Sequence, residues 1–260
     1  MNSVIRKPMR VRYETRRRMV QVVRVETLSP RMKRIVLGGE DLDGFTSAAA
    51  DDHVKLFFPA PGEDKPVFPD PAGGGAPPIM RDYTPRRFDA AAGELTIEFV
   101  LHGDGPASNW ATHARPGAWL GVGGPRGSFL VPDDFDAYLL VGDESALPAI
   151  ARRLEEMPAG VRAIALIEVE NAEEERYLPT AANASIGWVH RAAGGPDLLA
   201  ALERLVLPQG DVHAWLAGEI DVMRSLRTHL VAERGLVRDH VRAAGYWRIG
   251  SADAHDRIED

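Results

Sequence analysis

The chain has 260 residues, 45% of them hydrophobic, with 31 basic and 38 acidic residues and a formal net charge of -7. That length allows one large domain or two modest ones with buried cores, and the acidic balance argues against a general nucleic-acid binder, which must neutralise phosphates over a broad surface. Cysteine is absent, which excludes disulfides, thiolate nucleophiles and a cysteine-ligated iron–sulfur cluster, so electrons passing through this chain need a bound carrier.

The N-terminal stretch MNSVIRKPMRVRYETRRRMVQVVRVE is basic, but no apolar run of signal-peptide length follows it. Nor is there a run of about 18 apolar residues anywhere, so a cytoplasmic chain with no membrane contact is expected. Arg16 to Arg18 read as a solvated basic strand end. The segments MVQVVRVETLS, MKRIVLGG, HVKLFFPA, RDYTPRRFD, ELTIEFVLH and AWLGVGGPRG are β-branched or alternating and are cut by Gly, Pro and Asp. They predict a six-stranded antiparallel β-barrel over residues 15–132. Between the third and fourth of them, residues 59–78 are rich in Pro and Gly and read as a mobile loop.

After LVPDDFDA the pattern changes. YLLVGD is a short apolar strand, SALPAIARRLEEM has helical spacing, and VRAIALIEVE, ASIGWVHRA, DLLAALERL, DVHAWLAGE and DVMRSLRTHLVAERG continue the alternation of strand and helix. A parallel α/β nucleotide-binding domain over residues 136–260 is expected, with the boundary at 132–136. No internal repeat and no metal-ligand cluster stands out.

The stretch MRDYTPRRFD concentrates the chemistry. In a strand Arg81 and Tyr83 point to one face and Thr84 to the other, which suits a flat aromatic ligand with an anionic tail; a half-exposed strand edge reads equally well from these residues alone. HGDGPASNWA puts glycines before a helix start, whose free N–H groups, with the Ser108 hydroxyl, favour a phosphate. VGDESALPA lacks the G-x-G-x-x-G dinucleotide fingerprint and carries Asp143 and Glu144, which repel a pyrophosphate unless they face away.

Arg81, Tyr83, Thr84 and Arg86, in the form R-x-Y-T-x-R, resemble the flavin motif of siderophore-interacting proteins within the ferredoxin-NADP reductase superfamily. FVLHGDGPASNWA, GGPRGSF, LLVGDESALPAI, WLAGE and GYWRIG continue the resemblance in family order over nearly the whole chain. It implies non-covalent FAD. Tyr83 would stack on the isoalloxazine, Thr84 would reach N5, and these two are the catalytic candidates. Arg81 offers its planar fork to the pyrophosphate, and Arg86 serves the phosphate or adenine end. Asp82 belongs to the same cofactor-binding segment. Glu98, Phe99, Val100, Leu101 and His102 would line the ring's polar edge, and Gly105, Ala107, Ser108 and Asn109 the phosphates. Gly142, Ser145 and Glu219 are candidates for nicotinamide-nucleotide contact, and Tyr246 and Trp247 for covering the flavin.

The resemblance also gathers Lys55, Arg126 and Arg248 as the binding residues for an anionic ferric siderophore of catecholate type. The electron donor is expected to be NADH or NADPH, with ferredoxin the protein alternative. Glu168 and Glu170 end the strand AIALIEVE, where a carboxylate favours a free ribose 2′-hydroxyl and repels a 2′-phosphate, so NADH is expected to outperform NADPH. The implied activity is reduction of ferric siderophore by a monomer. Two alternatives remain: another flavin reductase serving a protein partner or free flavin, and a non-catalytic flavin-binding or siderophore-binding module.

Overall fold

The computed structural model describes residues 8–70, 77–103, 105–250 and 256–258. Residues 71–76 of the Pro- and Gly-rich loop, and Asp104 of HGDGPASNWA, lie outside the described residues. Two compact units are present, Pro8–Leu130 and the part from Val131 onward.

The first unit holds strands β1 (Met9–Arg12), β2 (Arg17–Ser29), β3 (Met32–Gly38), β4 (Val54–Phe58), β5 (Ile79–Tyr83), β6 (Arg87–Asp89) and β7 (Glu94–Val100), helix α1 (Pro106–His113), and strands β8 (Trp119–Gly123) and β9 (Gly127–Leu130). Seven strands form one antiparallel sheet in the order β5-β4-β8-β2-β3-β7-β6, and β1 pairs separately with β9. The two edges of that sheet, β5 and β6, are neighbours in the chain, joined by Thr84, Pro85 and Arg86. Three linking residues span at most roughly 14 Å, so the sheet must curl until its edges nearly meet. The Arg86 N–H donates to Thr96 O at 2.9 Å, which extends the pairing of β6 with β7 back to the linking residues. Inside sit Val20, Val22, Ile35, Leu37, Leu56, Leu95, Ile97, Phe99, Leu120 and Val122, with α1 lending Ala107 and Ala111.

This barrel-like sheet has seven strands rather than six because RDYTPRRFD is two strands. Pro85 has no N–H for a ladder, and the chain turns from one edge of the sheet to the other at that point. The expected basic strand end also needs correction: Arg16 and Arg17 are exposed, but Arg18 faces inward at 4% exposure. Its guanidinium donates to Gly124 O at 3.0 Å and lies over the Phe45 ring.

The second unit is doubly wound. Strands β10 (Ala137–Asp143), β11 (Arg162–Val169), β12 (Asn183–His190), β13 (Val212–Glu219), β14 (Val241–Trp247) and β15 (Asp256–Arg257) alternate with α2 (Leu147–Glu156), α3 (Leu198–Glu203) and α4 (Ile220–Thr228). The order is β12-β11-β10-β13-β14-β15, parallel except for β15. β10 and β13 are buried along their whole length, as central parallel strands covered on both faces must be. Because the order reverses between β10 and β13, a ligand crevice is expected outside their carboxyl ends.

At the opposite ends of these strands His213 packs against Phe135 and Tyr138. Burial first, then the nearby charges of Arg153, His240 and Arg242, pulls its imidazole down to about 3. Unfolded histidine titrates at about 6.5, so the stabilisation from a neutral His213 is complete above that pH and is lost as pH falls toward the folded value. The loss is about 1.4 kcal/mol per pH unit. Between pH 7 and pH 5 the unfolding free energy of His213→Gln should therefore fall by about 2 kcal/mol less than that of the unsubstituted protein. Urea titrations at the two pH values check this; equal losses contradict it. The comparison isolates His213 from the buried carboxylates Asp52 and Asp143, whose raised values act with the opposite sign.

Candidate functional site

In the first unit the register sorts the motif residues onto two faces. Tyr83 lies opposite Val54 and Arg81 opposite Leu56, while Asp82 lies opposite Lys55. Arg81 and Tyr83 thus share a face and Asp82 takes the other. Tyr83 is half-buried, its ring packed on Phe99 at 4.5 Å and near Phe58 at 6.5 Å. Burial raises its phenol, which stays neutral at physiological pH. Thr84, immediately after β5, is buried, and Arg81 Nη1 donates to Met80 O at 2.6 Å.

The segment Glu98–His102 is less uniform than expected. Glu98 is fully buried, but its carboxylate accepts from Arg34 at 2.8 Å and pairs with Arg86 at 3.5 Å. Those cations occupy the carboxylate, so any part it plays at a cofactor is through Arg86 or its own backbone. Phe99 points into the core and supports Tyr83 from behind. Val100 is half-buried, the Leu101 N–H is spent on Arg31 O at 2.7 Å, and His102 is exposed.

Helix α1 begins after Gly105 with Pro106 at its first position, and no side chain caps it. Ala107 and Ser108 are buried in its first turn, and the Asn109 N–H donates to Gly105 O at 2.9 Å. An uncapped helix start beside a buried hydroxyl is what a pyrophosphate requires. The unit therefore offers an aromatic platform, a buried hydroxyl, a planar cation and an anion-accepting helix terminus, a donor set that fits FAD.

Of the residues assigned to substrate, Lys55 donates to both carboxylate oxygens of Asp82, at 2.9 and 3.0 Å. This engages Asp82, which was expected at the cofactor. Arg126 is exposed just before β9. Arg248, in the second unit, is 3.9 Å from Asp221.

In the second unit the carboxyl ends of β10, β13 and β14 are tied by one buried group. Asp143 accepts from Ser145 N at 2.8 Å, Ser145 Oγ at 2.5 Å, Glu219 N at 3.0 Å and the Trp247 indole at 2.8 Å. Burial raises its carboxyl above the usual range, while the hydrogen bonds of Ser145 and Trp247 act the other way. Asp143 is thus buried and engaged by donors of the protein itself. Gly218 is needed beside it, with φ +153° and a position where an added Cβ would lie 2.5 Å from Asp143 Oδ2. Gly142 has a packing role, since a Cβ there would meet Ala217 O at 2.5 Å and Ala146 Cβ at 2.6 Å. Glu219 caps α4 by accepting from Asp221 N and Val222 N. Tyr246 packs edge-on to Trp215 at 6.3 Å, and Trp247 is 39% exposed at the end of β14.

Arg191 is a residue at the carboxyl ends of these strands that the sequence does not single out. It follows β12 and pairs with Glu144 at 2.6 Å, Glu168 at 3.1 Å and Glu170 at 3.2 Å. Hydrogen bonding to Glu144 raises its guanidinium further above its ordinary value. The carboxylates at the ends of β10 and β11 meet Arg191 at the end of β12 because the three strands are adjacent and parallel, an adjacency no local motif signals. Among the described residues no group of three or more His, Asp or Glu forms a metal site, and no helix is long and apolar enough to cross a membrane.

A curled antiparallel sheet fitted to a flavin and a doubly wound nucleotide-binding sheet, carried by one chain, define a flavin-nucleotide reductase fold. The chain belongs to the siderophore-interacting protein family: residues 21–129 match the siderophore-interacting FAD-binding domain and residues 135–250 the siderophore-interacting protein domain. It is 41% identical to the NADPH-dependent ferric-chelate reductase of Escherichia coli over 95% of this chain and 99% of that protein. Ferric vibriobactin reductase ViuB of Vibrio cholerae is 34% identical over 90% of each. A siderophore utilization protein from T. fusca of known crystal structure superposes with a TM-score of 0.86 at 42% identity, over 95% of this chain and 98% of that one.

Proposed function

We propose that the chain is an FAD-dependent reductase of ferric siderophores that takes electrons from a reduced nicotinamide dinucleotide and releases ferrous iron. The observation that carries this reading is the joint match of both halves to the family, with Arg81, Tyr83 and Thr84 at the closing edge of the curled sheet. FAD, when bound, supplies two-electron acceptance and one-electron release. The chain's own work is to bind and orient. Tyr83 presents a flat face, Thr84 a buried hydroxyl for the N5 edge, and Arg81 with the start of α1 the pyrophosphate contacts. Each ferric ion takes one electron, and because hard oxygen donors hold ferrous iron poorly, the chelate loosens without any bond in the ligand being cut.

Lys55 and Arg126 in the first unit and Arg248 in the second are assigned to the chelate, which is anionic and of catecholate type. The donor is NADPH, as in the name of the Escherichia coli relative, or NADH. Glu168 is the group that would accept from a free 2′-hydroxyl, and Arg191 the one that would meet a 2′-phosphate. The reading takes the chain to act as a monomer in the cytoplasm, where such a donor is available. Ferredoxin as donor is the second reading, favoured by Glu144, Glu168 and Glu170 at the edge where dinucleotide phosphates would approach.

The test is turnover of FAD-loaded protein with NADPH, NADH or reduced ferredoxin and a ferric tris-catecholate, in the presence of a ferrous-specific chromogenic chelator. Ferrous iron should appear with at least one donor and depend on FAD. A protein that reduces free flavin or a protein acceptor but no ferric chelate contradicts the reading.

A further inference from the structure

We infer that Arg17 is a further binding residue for the anionic ferric chelate, forming with Lys55 and Arg126 a cationic end of the curled sheet. This rests on the proposed reductase function. Arg17 in β2 lies opposite Gly123 in β8, and Gly123 lies opposite Lys55 in β4. Directly opposed residues share a face, so Arg17 and Lys55 project to the same side. Two strand spacings separate them, about 10 Å.

Between them Gly123 has no side chain, and the Phe57 ring lies 2.9 Å from where a Cβ would sit. Phe57 is itself buried, at 4% exposure and edge-on to Phe68 at 5.1 Å, so no polar side chain stands between the two cations in this row and the cations themselves are the ligand contacts. Arg126 lies three residues beyond Gly123 and is exposed at the same end of the sheet.

Charge bookkeeping decides why Arg17 matters. Lys55 is held by both oxygens of Asp82, and Arg16 is paired with Glu14 at 3.1 Å. Arg17 instead donates to a neutral acceptor, Pro69 O, at 2.6 Å. Among the described residues neither Arg17 nor Arg126 has a carboxylate within ion-pair distance. On a chain of net charge -7, these exposed cations provide the local field that an anionic chelate would follow. The run Arg16, Arg17, Arg18 thus divides its tasks: the first pairs locally, the second faces the ligand side, and the third anchors the Gly124 carbonyl from within.

The experiment uses FAD-loaded full-length protein and a gallium tris-catecholate, which copies the charge and shape of the ferric chelate and accepts no electron. Arg17→Gln should raise its Kd about fivefold at low ionic strength, the effect shrinking as salt rises, and Arg17→Lys should restore most of the loss. Arg87→Gln, which changes net charge equally at an exposed arginine on β6, should leave the Kd within error. In turnover, the ratio of KM for the anionic chelate to KM for a neutral ferric hydroxamate should rise for Arg17→Gln in parallel with the Kd. An unchanged gallium-chelate Kd for Arg17→Gln, or an equal change for Arg87→Gln, overturns the assignment. If the unsubstituted protein binds the gallium chelate but reduces no ferric chelate, the reductase reading fails, and Arg17 as a chelate ligand is still judged by the Kd alone.

Discussion

Arg81→Ala should lose FAD. The guanidinium lies on the same sheet face as Tyr83, and a charge-assisted hydrogen bond to phosphate contributes about 1.5–3 kcal/mol. The expected result is an FAD Kd raised about 10- to 100-fold. Arg81 is partly exposed at the edge of the sheet, so folding should be little affected. Titration of apoprotein with FAD, followed by flavin fluorescence, measures the change, with far-UV circular dichroism reporting the fold. An unchanged Kd would remove Arg81 from the pyrophosphate site. Arg81→Lys should recover only part of the affinity, because an ammonium cannot reproduce the planar fork.

Phe99→Ala should damage both stability and cofactor binding. Phe99 is fully buried and lies between Tyr83 at 4.5 Å and Trp110 at 5.7 Å, so its removal opens a cavity directly behind the flavin platform. Large-to-small changes at such a position cost about 3–5 kcal/mol. The Tyr83 ring would then lose its support and FAD should bind more weakly, whereas Phe99→Leu should recover most of both properties. Denaturant unfolding monitored with and without FAD gives the two quantities together. A loss below about 1 kcal/mol would show that the core closes around the gap and that the platform does not depend on this ring.

Much of this was legible in the chain because it is local. Alternation of apolar residues predicts the strands of the first unit, and the change of period after residue 132 predicts the parallel sheet of the second. The shared face of Arg81 and Tyr83 follows from the two-residue repeat of a strand alone. What stayed hidden is set by partners far apart in sequence. Asp143 reads from local sequence as a charge that repels a pyrophosphate unless it faces away, and one of its donors, Trp247, is 104 residues distant. Glu98 is expected to line the flavin's polar edge, but the pairing of β3 with β7 puts Arg34 directly across from it. Arg191 belongs to no motif, and its three acidic partners are the residue just after β10, one within β11 and the residue just after β11. Pro85 was visible, yet its consequence, a strand split at the seam of a curled sheet, required the strand order.

The most direct test of the reductase reading is a single anaerobic turnover. FAD-loaded protein is reduced by one equivalent of NADPH, or of another competent donor if NADPH fails, and ferric tris-catecholate is then added with a ferrous-specific chelator present. Because the donor gives two electrons and each ferric ion accepts one, the flavin absorbance should return as two ferrous ions are trapped per bound FAD. A flavin that is reduced by the donor yet stays bleached after the ferric chelate is added, with no ferrous iron trapped, would contradict the account.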